Sequence, residues 1–211
     1  MQVETSFRKL LGPYNVDALR DDPAVIFGVF SDFRLGCLNR AWFRFAAENA
    51  GEPQISRDWP LGRSILEAIA APLQSHYVSN FRRSLHNLQP WMHVYECSSA
   101  ATFREFQMTA YPLGRGDGLL IVNSLVVERA HDRTPSRALD EVYRDAHGIV
   151  HQCCYCRRFR RLSAHHDWDW IPEWVKRQPA QTSHGLCLPC FEHYFSAPSR
   201  LGHRPGLPFR P

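Results

Sequence analysis

Apolar and polar positions along the first 130 residues predict strands at both ends of this region and helices between them. Residues 24–30 and 35–39 are β-prone and separated by a polar turn, which predicts a hairpin. Asn39 then predicts a helix start, because its side-chain oxygen can accept hydrogen bonds from free amides of the first turn. Apolar residues recur at helical spacing behind it, until Gly51 and Pro53 end the pattern.

Shorter helical patterns continue to about residue 90, and Pro72 marks the start of the longest one. Three β-prone stretches follow, at residues 91–99, 103–113 and 118–129. The Gly-rich GRGDG between the last two predicts a hairpin loop. Two strands, grouped helices and three consecutive strands indicate an α+β fold.

This order resembles the PAS sensory family over residues 20–129. The local features that carry the resemblance are the helix start NRAWFRFA (39–46), the short helix LGRSILEAI (61–69) and the final hairpin PLGRGDGLLIVNSLVV (112–127). The resemblance implies a five-stranded antiparallel sheet with helices over one face. It also implies a domain that binds a small ligand or a partner protein and has no catalytic residues of its own.

The strand WMHVYEC contains the candidate ligand-binding face. Its alternation places four side chains on one side: Trp91, His93, Tyr95 and Cys97. Such a face suits a ligand cavity, and it equally suits a core wall whose polar tips find hydrogen-bond partners. His76 and His86 in the preceding helix are candidate ligands for haem, although we favour their interpretation as ordinary helix histidines.

Two C-x-x-C motifs carry the strongest chemical signal: Cys153/Cys156 and Cys187/Cys190. Each motif places two thiols on one tight turn, and two such turns supply the four sulfurs of a tetrahedral structural zinc site. Iron in a four-thiolate site and dithiol exchange are the alternatives. Cys154 is a spare thiol, and we interpret His184 as a supporting residue rather than a ligand.

Basic residues are concentrated behind the first motif. Residues 1–150 carry 16 Lys/Arg and 17 Asp/Glu, a net charge of −1, whereas residues 151–211 carry 9 and 4, a net charge of +5. The run of arginines at 157–161 could contact nucleic acid. It could also offset the negative charge of four thiolates around zinc, which is the interpretation we favour.

The C-terminal cysteines also resemble a module attached to PAS domains in some bacterial two-component sensor proteins. The matching positions are Cys153, Tyr155, Cys156, Arg157, Arg158, Trp170, Ser183, His184, Gly185, Cys187 and Cys190. Kinase and receiver motifs that often accompany this module are not recognisable in the sequence, so we expect an adaptor rather than an autonomous kinase.

The combined prediction is an α+β, PAS-like domain at residues 1–130, a helical connector at 131–148, a small zinc-ribbon-like module at 149–195 and a disordered tail at 196–211. No apolar run reaches membrane-spanning length and no signal peptide is recognisable, so we expect a cytoplasmic protein without membrane contact.

The expected function is that of a stand-alone sensory or signalling adaptor, not an enzyme, with structural Zn²⁺. Its expected partners are a small ligand or a signalling protein, with a homodimer as a further option. A nucleic-acid-binding regulator and a haem or redox sensor are the alternatives.

Overall fold

A six-stranded antiparallel sheet organises the N-terminal part of the computed structural model, which describes residues 1–164 and 166–195. The predicted tail at 196–211 lies outside the described residues. The strands are β1 (Gln2–Val3), β2 (Val25–Phe30), β3 (Leu35–Leu38), β4 (Trp91–Glu96), β5 (Thr102–Leu113) and β6 (Gly118–Ala130). Their order in the sheet is β1-β3-β2-β6-β5-β4.

Helices connect and cover these strands. They are α1 (Thr5–Arg8), α2 (Val16–Asp21), α3 (Arg40–Glu48), α4 (Gln54–Asp58), a 3₁₀ turn (Ile65–Ala68) and α5 (Ala71–Asn87). The α+β prediction is therefore confirmed, including the first hairpin and the three later strands. The sheet has six strands instead of the five expected, because the N-terminal residues pair with Cys37 and Leu38 of β3.

The central strands bury both faces. Phe27 and Val29 on one face of β2 belong to the main core beneath α5. Ile26 on the opposite face belongs to a second cluster around Phe7 of α1. The resemblance implies helices over one face of the sheet, but here the second face is also covered, by the N-terminal segment that contains Phe7. Gly28 permits this second layer, since a Cβ there would lie 2.4 Å from the Phe7 ring. Continuous apolar runs are typical of strands covered on both sides.

Asn39 joins the first hairpin to α3 and is fully buried. Its Oδ1 accepts from the backbone N–H of Trp42, as the predicted helix cap requires, and also from that of Ile26, each at 3.1 Å. Its Nδ2 donates to the carbonyl of Ala24 at 2.8 Å. One side chain therefore satisfies backbone groups of both elements.

The C-terminal module is a four-stranded sheet with short helices. Its elements are α6 (Asp140–Tyr143), β7 (Val150–Cys153), β8 (Phe159–Arg160), β9 (Trp168–Asp169), α7 (Pro172–Lys176), β10 (Thr182–Gly185) and α8 (Leu188–Phe195). The strand order is β10-β7-β8-β9, with β10 parallel to β7.

The predicted helical connector at 131–148 is wrong for most of its length, since α6 is its only helix. Tertiary contacts override the helical pattern here. Pro135 bridges to Trp170 beside β9, and the buried Tyr143 donates a hydrogen bond to Asp169 and packs on Trp174. The connector thus belongs to the core of the C-terminal module.

Among the residues the model describes, none of the helices combines the length and the apolar character of a bilayer span.

We expect Asn39→Ala to lower the free energy of unfolding by about 3 kcal/mol, because it leaves buried amides of two elements without an acceptor. Urea denaturation measures this change. Asn15→Ala is the matched control: Asn15 caps the exposed α2 through Asp17 and Ala18, so its replacement should cost about 1 kcal/mol. Equal losses for both variants would contradict the role assigned to Asn39.

Candidate metal centre and adjoining cavity

The four predicted cysteine ligands converge at one end of the C-terminal sheet. Cys153 ends β7, and the parallel neighbour β10 leads directly to Cys187 and then to Cys190 in α8. Because paired parallel strands end on the same side, the two C-x-x-C turns face each other. The Sγ atoms of Cys153, Cys156, Cys187 and Cys190 all lie within 4.8 Å of one another.

The cluster fits a tetrahedral metal ion. Zn–S bonds of about 2.3 Å correspond to S···S separations of about 3.8 Å. The Sγ atoms of Cys156 and Cys187 are 3.7 Å apart, and all four cysteines are buried. The backbone N–H of Cys187 also donates to Cys153 Sγ at 3.5 Å. These four residues can therefore hold one ion.

Crowding of the thiols makes their ionisation interdependent. Hydrogen bonds from Cys156, Cys187 and Cys190 stabilise a thiolate at Cys153 and lower its pKa. The same hydrogen bond to Cys153 favours the protonated form of Cys156 and raises the pKa of that thiol. The thiols of Cys156 and Cys190, whose pKa values are both raised, therefore resist ionisation, and a cation at the centre would favour it.

Cys154 and His184 lie outside the cluster. Burial raises the pKa of the Cys154 thiol to about 11, so it is protonated at neutral pH. His184 is exposed on β10, and its Nε2 lies 3.3 Å from the amide nitrogen of Gln178. The structure therefore separates these two residues from the four ligand candidates.

A cavity of about 580 Å³ lies beside the cluster, between the sheet, α3 and α5. Its walls are mainly aromatic and aliphatic, and they include Phe27, Trp42, Phe45, Ile65, Leu73, Tyr77, Phe81, Tyr95, Phe106 and Met108. Cys154 and Tyr155, the two residues between the first pair of ligand candidates, also line it. The metal-binding loop (residues 153–156) therefore forms part of the cavity wall.

The structure divides the predicted ligand-binding face. Tyr95 and Cys97 line the cavity, whereas Trp91, His93 and His76 do not. These three lie in an aromatic cluster under α8: His76 is 4.7 Å from Phe195, and Trp91 stacks on His93 at 5.5 Å, ring centroid to ring centroid. Side chains on one face of β4 therefore meet two surroundings, because the C-terminal module covers one end of the strand.

Haem ligation by the predicted histidines has no support in this arrangement. None of the described side chains that line the cavity is a histidine, and His86 is exposed on α5. His93 instead pairs with the buried Tyr155, whose hydroxyl lies 2.6 Å from its Nε2. Burial lowers the pKa of His93 to about 4, so the ring is neutral at pH 7.

Tyr95 and Asn123 at the cavity wall are paired, whereas the buried Nε1–H of Trp42, which also lines the cavity, has no hydrogen-bond partner among the described residues. Tyr95 donates its hydroxyl proton to Asn123 Oδ1 at 2.9 Å, and Asn123 Nδ2 donates to the carbonyl of Val25 at 3.3 Å. Burial raises the pKa of Tyr77 to about 12 and also raises that of Cys97. These hydroxyl and thiol groups are therefore uncharged at neutral pH.

Two arginines, the buried side chain of Arg133 and the half-buried Arg157, join the metal-binding loop to the PAS-like domain, and no sequence pattern indicated this role. Arg133 pairs with the equally buried Glu96 at 2.7 Å and donates to the carbonyl of Cys156 at 2.8 Å. Arg157 donates to the carbonyls of Ser98 at 3.2 Å and Val175 at 3.3 Å. The position of Arg157 directly after the ligand motif was a signal in the sequence, but its partners were not.

Comparisons with known proteins come from solved structures, since no family model and no curated protein matches the sequence. A domain of an HTR-like protein from Haloarcula marismortui ATCC 43049 is 11% identical, with a TM-score of 0.37, and the match covers 50% of this chain and 100% of that one. The photoactive yellow protein domain of the sensor histidine kinase Ppr from Rhodospirillum centenum is 13% identical, with a TM-score of 0.37 and coverages of 54% and 95%.

The PAS domain of an HTR-like protein from Haloarcula marismortui is 21% identical, with a TM-score of 0.34, and the match covers 58% of this chain and 93% of that one. Structural similarities this low say nothing about the ligand or the activity of this chain.

Replacing one ligand candidate should remove the bound metal. We expect Cys187→Ser to reduce the metal content from about one ion per chain to near zero, because the centre then lacks one of four thiolates. Elemental analysis of the purified protein measures this. Cys154→Ser, which removes a neighbouring thiol outside the cluster, should retain the ion. Loss of metal in the Cys154 variant alone would reverse the assignment.

Stability should fall between pH 6.5 and pH 4 because of His93. The unfolded histidine takes up a proton below about pH 6.5, whereas the folded one does so only near pH 4. The unfolded state therefore binds more protons in this window, and acidification favours it by up to about 3 kcal/mol.

The control for this prediction is His93→Gln, which also costs about 1 kcal/mol for the altered contact with Tyr155. Urea unfolding of both proteins at pH 7.0 and 5.5 should show a smaller loss of stability on acidification in the variant. Identical losses in the two proteins would rule out His93 as the titrating group.

Proposed function

We propose that this protein is a cytoplasmic sensory or signalling adaptor that binds a small ligand in its PAS-like domain and carries a structural zinc ion. The observation that supports this most is the cavity shared between the PAS-like domain and the metal-binding loop. A ligand bound there would touch both parts of the chain at once. The resemblance of the C-terminal motif to modules of two-component sensor proteins motivates a place in bacterial signalling.

Zinc is the metal that the ligand set favours. Four cysteines complete a tetrahedral shell and leave no position for a water molecule, so the ion would stabilise the module rather than activate a substrate. Iron suits four thiolates as well and remains the alternative metal. Zinc with four thiolates carries a net charge of −2. The buried guanidinium of Arg133, bonded to the carbonyl of Cys156, provides nearby positive charge.

A binding role agrees with the chemistry of the cavity better than a catalytic one. Burial raises the pKa values of the Cys97 and Cys154 thiols, which makes them poor nucleophiles at neutral pH. The carboxylate among the described lining residues, Glu96, is paired with Arg133. The described residues of the cavity wall thus offer no activated nucleophile and no free general base.

Nucleic-acid binding has weaker support. Arg157 directs its guanidinium to backbone carbonyls inside the protein, and Arg161 pairs with Asp169. Two of the four arginines in the basic run are therefore already engaged. A signalling protein, or a second copy of the chain, remains the proposed macromolecular partner.

The proposed zinc centre predicts a colourless protein with about one zinc ion per chain. Elemental analysis and an absorption spectrum of the purified full chain test this together. A red protein containing iron would replace zinc by iron in the proposal, because iron–thiolate centres absorb visible light and zinc does not. A colourless protein without either metal, purified without chelators, would contradict the structural metal site.

A further inference from the structure

We propose that the cavity binds a neutral, largely apolar molecule, and that this ligand and the zinc ion each strengthen binding of the other. The inference rests on the proposed function, since it assumes a small ligand in the cavity and zinc on the four cysteines. It adds the chemical class of the ligand and a coupling between the two sites.

Size and wall chemistry define the ligand class. A volume of about 580 Å³ is within the usual range of sites for drug-sized molecules. Aromatic side chains from the sheet, α3 and α5 surround it, which favours a flat, apolar body. Polar atoms of Tyr95 and Asn123 already bond each other, whereas the buried Nε1–H of Trp42 has no partner among the described residues. The wall therefore suits an apolar ligand with a single hydrogen-bond acceptor better than a strongly polar one.

The charged side chains at the cavity disfavour an ionic ligand, because they are already paired with each other. Glu96 borders the cavity, but its carboxylate accepts from Arg133 at 2.7 Å and from Ser98 at 2.5 Å. Neither the carboxylate nor the guanidinium is free to neutralise a ligand charge. A buried charge without a partner loses its hydration without compensation, so a neutral molecule is preferred.

The coupling follows from the position of the metal-binding loop. Cys153 and Cys156 at its ends belong to the thiol cluster, whereas Cys154 and Tyr155 between them line the cavity. Tyr155 is buried, stacks on Tyr194 at 4.4 Å between ring centroids, and contacts His93 through its hydroxyl. The loop therefore cannot leave the ion without removing one wall of the cavity.

A ligand that needs this wall must oppose release of the metal. If it binds only while the loop is in place, it favours that state by a factor of one plus the ratio of ligand concentration to Kd. A ligand at ten times its Kd should therefore slow zinc release about tenfold. Thermodynamic reciprocity requires that zinc raise the affinity for the ligand by the same coupling.

The test uses two probes of nearly equal size that differ in charge, 2-acetylnaphthalene and 2-naphthoate. Calorimetric titration into the zinc-loaded full chain measures their affinities. Zinc release to excess chelator, followed with a chromogenic zinc indicator, is then recorded with and without each probe. We expect the neutral probe to bind at least about tenfold more tightly than the anion, and at ten times its Kd to slow release about tenfold.

Three variants distinguish loss of probe binding from loss of the coupling to zinc release. Ala68→Phe adds a ring at an exposed position that lines the cavity and is not a ligand candidate, and it should abolish probe binding while one zinc per chain remains. Tyr155→Ala removes the loop's contribution to the wall and should reduce the slowing of zinc release. Cys37→Ala, at a buried thiol outside the cavity, is the control and should change neither measurement.

The possible outcomes separate this inference from the proposed function. Binding of the neutral probe without any change in zinc release would overturn the coupling and leave ligand binding intact. Equal affinities for the two probes would overturn the ligand class. Failure of the neutral probe to bind the zinc-loaded protein would overturn both that class and the coupling. Absence of zinc in the purified chain would instead be a failure of the proposed metal site.

Discussion

The parallel pairing of β7 with β10 is the constraint on which the C-terminal half of this protein depends. Gly185 lies opposite Cys153 in this register, so the chain enters both cysteine turns at the same end of a small sheet. Once the turns face each other, metal coordination can link strands, turns and α8 in a module with only a small hydrophobic core.

That module is not an independent appendage. Leu73 of α5 and Tyr95 of β4 pack in the same cluster as the four cysteines, and Tyr155 lines the cavity of the PAS-like domain. The ion pair of Glu96 and Arg133 lies at this junction. Buried ion pairs lose hydration, and removing one partner leaves a costly unpaired charge. These directional contacts fix the position of the C-terminal module relative to the PAS-like domain.

The shared cavity gives this junction a functional interpretation. In an isolated sensory domain, a ligand would affect only the sheet and its helices. Here the wall includes residues from the metal-binding loop, so in the proposed function a ligand in the cavity would contact the second module directly. The proposed coupling therefore needs no long connecting helix, which agrees with the single helical turn of the connector at Asp140–Tyr143.

Local sequence signals determined the elements with clear periodicity or end signals. The first hairpin, the cap at Asn39, the start of α5 near Pro72 and the last three strands could all be predicted, because each depends on nearby residues. The four cysteines were equally apparent, since C-x-x-C spacing restricts two thiols to one turn. The short strand β1 carried no such signal and depends on its partner β3.

Tertiary structure alone decided how these elements share their surroundings. The helical pattern at 131–148 was overridden by packing of Tyr143 on Trp174, and the face of β4 was divided between the cavity and the aromatic cluster under α8. Period-two alternation identifies which side chains share a face, but not what covers that face. The sequence by itself therefore determined the four candidate metal ligands, whereas long-range packing determined that the loop carrying two of them would line a cavity.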